Sequence, residues 1–311
     1  MKKILLKNNV EVGNTCLGAM MFGTTIEKEK AFTVLDAYVA CGGTFIDTSN
    51  NYAHWAGTGD ESETLLGEWF ASRKNRDRVI LATKVGYDRH GEGAGLKREQ
   101  ILYWIDQSLK KLHTDYIDVY YAHVDDVNTP LDETMETFDR LVKAGKVRLI
   151  GGSNYDTWRF ERANATASEH GYEPYSIMQQ RFSYLFERSD VAPKYPFNAF
   201  VDRERMRYLV DAKMPLTAYS CLSGGGYDDP SRLPSNVIAG KRYEFLCEFA
   251  KQKGLRPSQL VIAWLCNLYK CAGYTTVIPL FSSSSPSHIE DNMRAAEIEL
   301  TNEELNQLCN A

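Results

Sequence analysis

The sequence predicts one α/β domain over residues 1–311: a (β/α)8 TIM barrel with an N-terminal β-hairpin and an extra C-terminal helix. Three observations carry this expectation. Eight short apolar runs alternate with amphipathic stretches of helical period. Most of the runs are uninterrupted, as expected of parallel strands covered on both faces. No change of composition, internal repeat or linker divides the 311 residues, 43% of them hydrophobic and 25% charged, so one large core is within reach. An open doubly wound sheet is the alternative. It would carry a glycine fingerprint after its first strand, and Leu17-Gly18-Ala19-Met20 is not one.

The hairpin comes first: Ile4-Leu5-Leu6, a turn at Asn8-Asn9, then Val10 and Val12. Barrel strands are expected at residues 15–20, 44–47, 79–84, 117–122, 147–153, 176–180, 215–220 and 276–279. Right-handed crossovers with short connections allow them to close. Between them, residues 27–40 set Ala31, Val34, Leu35 and Tyr38 on one helical face, and Gly42-Gly43 ends that helix. Helices at 61–70 and 97–112 follow, the second with Ile101, Ile105, Leu109 and Leu112 in register. Thr129-Pro130 opens a helix at 131–144 and Gly145 closes it. Further helices are expected at 157–170, 203–211, 241–253, from Pro257 to residue 269, and at 287–296. A short helix at 302–308 is the extra C-terminal element.

Bulk properties narrow the function. The formal net charge is −5 and the chain has no block rich in Lys and Arg, so neither nucleic acid nor an anionic membrane has an electrostatic footing. The opening Met1-Lys2-Lys3-Ile4-Leu5-Leu6 stops being apolar at Lys7, too early for a secretory signal, and no run approaches a membrane span. Seven scattered cysteines without a C-x-x-C pair suit reduced thiols in the cytoplasm. Six histidines without i,i+4 pairing give no metal-site pattern. Nothing in the sequence separates a monomer from a homo-oligomer.

In such barrels chemistry gathers at the C-terminal ends of the strands. Here those ends are polar: Asp47, Lys84, His123, Ser153-Asn154, Gln179 and Tyr219-Ser220. The first three lie about one β/α unit apart, so their side chains should share one cleft. Singly, each has a bland reading: a lysine reaching solvent, an aspartate capping a helix, a packed tyrosine, a structural histidine. Their coincidence in consecutive units outweighs those readings.

The segment Gly43-Thr44-Phe45-Ile46-Asp47-Thr48-Ser49-Asn50-Asn51-Tyr52 resembles the G-x-x-x-x-D-T-(A/S)-x-x-Y signature of the aldo-keto reductases. Glu61 to Gly67 is similar to the E-x-x-L-G helix that follows it in that family. Leu81-Ala82-Thr83-Lys84 resembles the lysine strand, the stretch from Asp115 to His123 the histidine strand, and the stretch from Lys146 to Asn154 the cofactor-amide segment. The similarity runs from Leu17 to about Leu300. It implies an NAD(P)H-dependent oxidoreductase that reduces aldehydes and ketones, small or sugar-derived, with Tyr52, Lys84, Asp47 and His123 as the catalytic set. The chemistry agrees. Carbonyl reduction needs a hydride at carbon and a proton at oxygen, and a phenol with a pKa of about 10 is a weak acid near neutrality. An ammonium at Lys84, fixed by Asp47, should lower it, and His123 should orient the carbonyl by hydrogen bonding.

The same resemblance assigns cofactor contacts to Asp47, Ser153, Asn154, Gln179, Tyr219, Ser220, Leu222, Ser283, His288 and Asn292. Ser153, Asn154 and Gln179 would hold the nicotinamide carboxamide, and Tyr219 would stack on its ring. Ser220, Leu222 and the glycine-rich loop 223–226 would approach the pyrophosphate. The adenine end departs from the pattern. Many NADPH-using members carry a Lys where this chain has Ser282 and an Arg where it has His288. Both changes weaken pairing to a 2′-phosphate, although Ser283, Ser284 and the N-terminus of the helix at 287 could receive one. NADP(H) is the expected cofactor, with NAD(H) the alternative. Phe22, Trp55, Tyr87 and Tyr184 are expected at an aromatic rim, with a core or lid role for each an equal alternative to substrate contact. Segments 187–203 and 226–242 are expected over the pocket. The competing functions are an NAD-linked sugar or polyol dehydrogenase and a cofactor-binding regulatory subunit.

Overall fold

The computed structural model describes residues 2–87, 95–188 and 200–311. The hairpin pairs β1 (Lys3–Leu5) with β2 (Glu11–Gly13), Ile4 opposite Val12. Its turn places Asn8 and Asn9 at φ 54° and 57°, the left-handed region that Asn tolerates better than most residues.

The eight parallel strands then run β3 (Cys16–Gly18), β4 (Phe45–Asp47), β5 (Ile80–Val85), β6 (Ile117–Ala122), β7 (Val147–Ser153), β8 (Ile177–Arg181), β9 (Leu216–Tyr219) and β10 (Val277–Phe281). They close in chain order, with β10 returning to β3. The helices around them are α1 (Lys28–Ala40), α2 (Glu61–Arg73), α3 (Arg98–Lys111), α4 (Leu131–Lys143), α5 (Thr157–His170) and α6 (Arg203–Asp211). Two more, α7 (Gly240–Gln252) and α8 (Pro257–Asn267), lie between β9 and β10, and α9 (Pro286–Ala295) and α10 (Asn302–Asn310) end the chain. The expected barrel, hairpin and extra helix are therefore present. Among the described residues no helix is long and apolar enough to cross a membrane.

Two apolar cores result from the period-2 geometry of the strands. Leu17, Ile46, Leu81, Tyr120, Ile150 and Met178 face outward and pack under the helices. Cys16, Phe45, Ala82, Val119, Leu149, Ile177 and Ile278 face inward, and the hairpin residues Leu6, Val10 and Val12 pack with them. The hairpin thus plugs the N-terminal end of the barrel. Two residues further along each strand, the same inward parity delivers Asp47, Lys84, Tyr121, Gly151 and Gln179, so the polar layer lies directly above the apolar one. Helix α2 is pressed close to the end of α3. A Cβ at Gly67 would sit 2.0 Å from the Lys111 carbonyl oxygen, so only glycine fits there.

The expected strand at 15–20 is short, because the chain turns after Gly18 and carries Met20 to the rim. The last strand runs further than expected. Pro279 lacks an N–H, yet pairing with β3 continues through Leu280 and Phe281.

Candidate active site

Four side chains converge at the C-terminal mouth of the barrel. Lys84 Nζ donates to Asp47 Oδ2 at 2.7 Å, to the Thr48 carbonyl oxygen at 2.7 Å and to Tyr52 Oη at 2.5 Å. The Tyr52 hydroxyl donates to the same Asp47 oxygen at 2.7 Å. Gln179 Nε2 donates to the other, Oδ1, at 2.8 Å. Asp47 and Lys84 are both fully buried, which is tolerable because every charge has a partner of opposite sign or a hydrogen bond. His123 completes the group, its ring edge-on to Tyr52 with centroids 5.9 Å apart.

The electrostatics differ from the expectation in one respect. Burial and the Asp47 carboxylate push the Tyr52 phenol well above its ordinary value, so the resting group is a firmly protonated phenol rather than an acidified one. Asp47 binds the phenol proton and so opposes the acidifying influence of Lys84. Burial also lowers Lys84, with Asp47 pulling the other way. Burial, together with the charge on Lys84, drives His123 well below the imidazolium range, so its ring is neutral.

A cleft of about 1390 Å³ opens above this layer. It is larger than the roughly 300–1,000 Å³ typical of small-ligand pockets, so an extended dinucleotide fits by size. Tyr52, His123, Ser153, Asn154, Gln179, Tyr219, Ser220, Leu222, Ser283, His288 and Asn292 all line it. Asp47 and Lys84 do not; they lie beneath, and Asp47 reaches the cleft only through Tyr52 and Gln179. Asn154 is tied on both sides: Nδ2 donates to the His123 carbonyl at 2.9 Å, and Oδ1 accepts from Tyr219 at 2.7 Å. That bond holds the Tyr219 ring in the cleft. Asn154, Ser220 and Ser223 have φ of 57°, 53° and 48°, non-glycine left-handed positions of the kind that collect at binding sites.

At the far end the cleft is lined by Gly224, Gly225, Asp228, Arg232, Arg256, residues 282–284 and His288. Segment 226–242 therefore does contribute to the pocket. Residues 189–199 of the other expected lid lie outside the described residues. Sequence reasoning missed Arg232 and Arg256. Arg232 lies over the glycine loop, where a Cβ at Gly225 would meet its Nη1 at 3.0 Å. Arg256 stands at the N-cap of α8, a position that favours Ser, Thr, Asp or Asn and disfavours a cation. It is held there by Asp291 at 2.9 Å.

The rim needs two corrections. Trp55 and Tyr87 line the cleft as expected, but Phe22 and Tyr184 are fully buried core residues, Tyr184 edge-on to Trp264. His54, which was not anticipated, joins Trp55 and Tyr87, with ring centroids 5.3 Å and 6.3 Å away.

This arrangement has recognisable relatives. The aldo/keto reductase family model matches residues 14–311. Norsolorinic acid reductase B of Aspergillus parasiticus is 33% identical over 97% of this chain and 81% of its own. An aryl-alcohol dehydrogenase of Pestalotiopsis microspora is 29% identical over 96% and 79%. A crystal structure of an aldo/keto reductase from Klebsiella pneumoniae, in complex with NADP and acetate, superposes with a TM-score of 0.75 at 25% identity, covering 99% of this chain and 94% of that one. Barrel, buried Asp–Lys–Tyr cluster and a match over nearly the whole length agree, and the chain belongs to the aldo/keto reductase family.

Proposed function

We propose that this protein is an NADP(H)-dependent reductase of aldehydes and ketones, with Tyr52 as proton donor and carbonyls bearing an aryl ring as its best substrates. The single observation that carries the reading is the Tyr52 hydroxyl, held by Lys84 at 2.5 Å and Asp47 at 2.7 Å and open to the cleft. When bound there, the nicotinamide supplies a hydride to the carbonyl carbon. Tyr52 turns its O–H from Asp47 to the substrate oxygen. As the proton leaves, the Lys84 ammonium already donating to Tyr52 Oη stabilises the phenolate that remains. Ser153, Asn154 and Gln179 would hold the carboxamide, and Tyr219 would support the ring. Gly224-Gly225 and Arg232 would take the pyrophosphate, while Arg256, Ser283 and the N-terminus of α9 would take the 2′-phosphate.

The aromatic wall of His54, Trp55 and Tyr87 favours flat substrates. Two relatives bear names that fit this, an aryl-alcohol dehydrogenase and a norsolorinic acid reductase. Seven free cysteines, three of them buried, suit a reducing cytoplasm. Ser282 and His288 favour one second reading, an NAD-linked alcohol dehydrogenase. Fluorescence titration with NADPH and NADH, followed by turnover against aromatic and aliphatic aldehydes, tests the proposal. Tighter NADPH binding and faster turnover of aromatic aldehydes are expected. Tighter NADH binding would favour the second reading, and binding without turnover would favour a regulatory subunit.

A further inference from the structure

Two half-buried cysteines meet on the flank of the barrel, and neither lines the cleft. Cys271 follows the single turn at Leu268–Lys270 that ends α8, and Cys309 lies in the last turn of α10. Helix α10 packs on α8, and the buried Trp264 of α8 donates its indole N–H to Cys309 Sγ at 3.4 Å. The Cys271 thiol and the Tyr274 hydroxyl hydrogen-bond to the same sulfur. An indole N–H can only donate. Burial and the Cys309 sulfur push Cys271 up to about 11 and Tyr274 up to about 12. Both groups therefore keep their hydrogens near neutral pH and present them to Cys309. Three donors thus converge on one sulfur, and positive charge from Lys270 and Arg242 bears on Cys271 and Tyr274. Such surroundings, partly open to solvent, favour a thiolate at Cys309.

We propose that Cys309 and Cys271 form a reversible, peroxide-sensitive pair, in which Cys309 is oxidised first and Cys271 closes the disulfide. The Cys309 thiolate attacks one oxygen of a hydroperoxide and the O–O bond breaks. The other oxygen leaves as an alcohol, or as water from hydrogen peroxide, after taking up a proton. Cys309 is now a sulfenic acid, oxidised by two electrons. Cys271, already in contact, gives up its hydrogen and displaces the sulfenic hydroxyl as water, forming the S–S bond. Two thiols and one peroxide thus yield a disulfide, an alcohol and water. The bond encloses β10 and α9, and with them the stretch from Ser282 to His288 at the far end of the cleft. A thiol reductant reverses it by exchange.

The full chain, reduced and then freed of reductant, is treated with hydrogen peroxide and mapped by mass spectrometry of its unreduced peptides. A linked pair of peptides carrying Cys271 and Cys309, separated by dithiothreitol, is expected. The unfolding temperature should rise by about 5–10 °C over that of the reduced protein, because the cross-link restricts the unfolded chain. Cys271→Ser and Cys309→Ser should each lose both the linked peptides and the rise. With dimedone present, Cys271→Ser should be labelled on Cys309, whereas Cys309→Ser should leave Cys271 unlabelled. Sulfinic or sulfonic acid on Cys309 of the wild type, with no linked pair, overturns the proposal. Dimedone on Cys271 in Cys309→Ser overturns the order of attack. The wild-type map decides the pairing however the variants fold, and it needs no turnover, so it stands apart from the Tyr52 reading.

Discussion

The two ends of the cleft are built in opposite ways. At the catalytic end each side chain is locked by the next. Asp47 receives Lys84, Tyr52 and Gln179 together, Lys84 is fully buried, and Asn154 ties the His123 backbone to Tyr219. At the other end, serines 282–284, the exposed His288 and two arginines line an open groove, and Arg256 is borrowed from the start of a helix that would be better capped without it. On the proposed function, the difference follows from what each end must do. Proton transfer needs its geometry fixed before substrate arrives, and burial strengthens each electrostatic contact. Grip on a cofactor phosphate needs only charge at the right place, which can come from several points on the rim.

The largest expected effect is on stability, at the locked end. Asp47→Ala strands the Lys84 ammonium and should cost about 3–5 kcal/mol in denaturant unfolding. His288→Ala, at the open end, should stay within about 0.5 kcal/mol. Equal losses would break the comparison. Next in size, removing the cation proposed for the 2′-phosphate with Arg256→Ala should weaken NADPH binding by about tenfold or more while leaving NADH nearly unchanged, since a charge-assisted bond is worth about 1.5–3 kcal/mol. A similar loss for both cofactors would assign Arg256 to the shared pyrophosphate as well. Smaller still, Trp55→Ala should raise KM for aromatic aldehydes several-fold and spare aliphatic ones, because Trp55 is itself 62% exposed.

The smallest effect concerns pH. The Tyr52 shift is upward from 10.0 and the His123 shift downward from 6.5, so neither group changes charge between those values. Neither group should therefore put a limb on the kcat/KM profile for reduction from pH 6.5 to 10. Lys84, lowered from 10.5 by burial, can still lose its charge in that window. A phenolate absorbance there that disappears in Tyr52→Phe would show an acidified phenol instead. The same sign governs stability. Above pH 10 the unfolded chain loses the Tyr52 proton before the native state does, so this group lowers stability only on the alkaline side.

Most of the fold was legible because it depends on local patterning. The uninterrupted runs, the Asn8-Asn9 turn and the Pro257 helix start each report a nearby backbone requirement. The convergence of the cluster at the locked end was legible for a related reason: strand parity fixes where Asp47, Lys84 and His123 must point once the barrel is assumed. Parity says nothing about loops. Phe22 and Tyr184 were expected at the rim, but an aromatic following a strand packs inward or outward by tertiary fit alone. Arg232 was hidden within a long connection. Arg256 did leave a signal, an arginine just before Pro257 where a capping side chain belongs. Whether Lys84 would acidify Tyr52 could not be read from residue types, because burial and Asp47 outweigh the ammonium only when all three groups are in place.

Single-turnover oxidation of bound NADPH by an aromatic aldehyde, compared between wild type and Tyr52→Phe, tests the central claim most directly. The substitution keeps the ring and removes the hydroxyl that carries the proton. Slower hydride transfer by about 10²–10⁴-fold, with NADPH affinity unchanged, is the predicted result. Equal rates in the two proteins would contradict the assignment of Tyr52 as the acid.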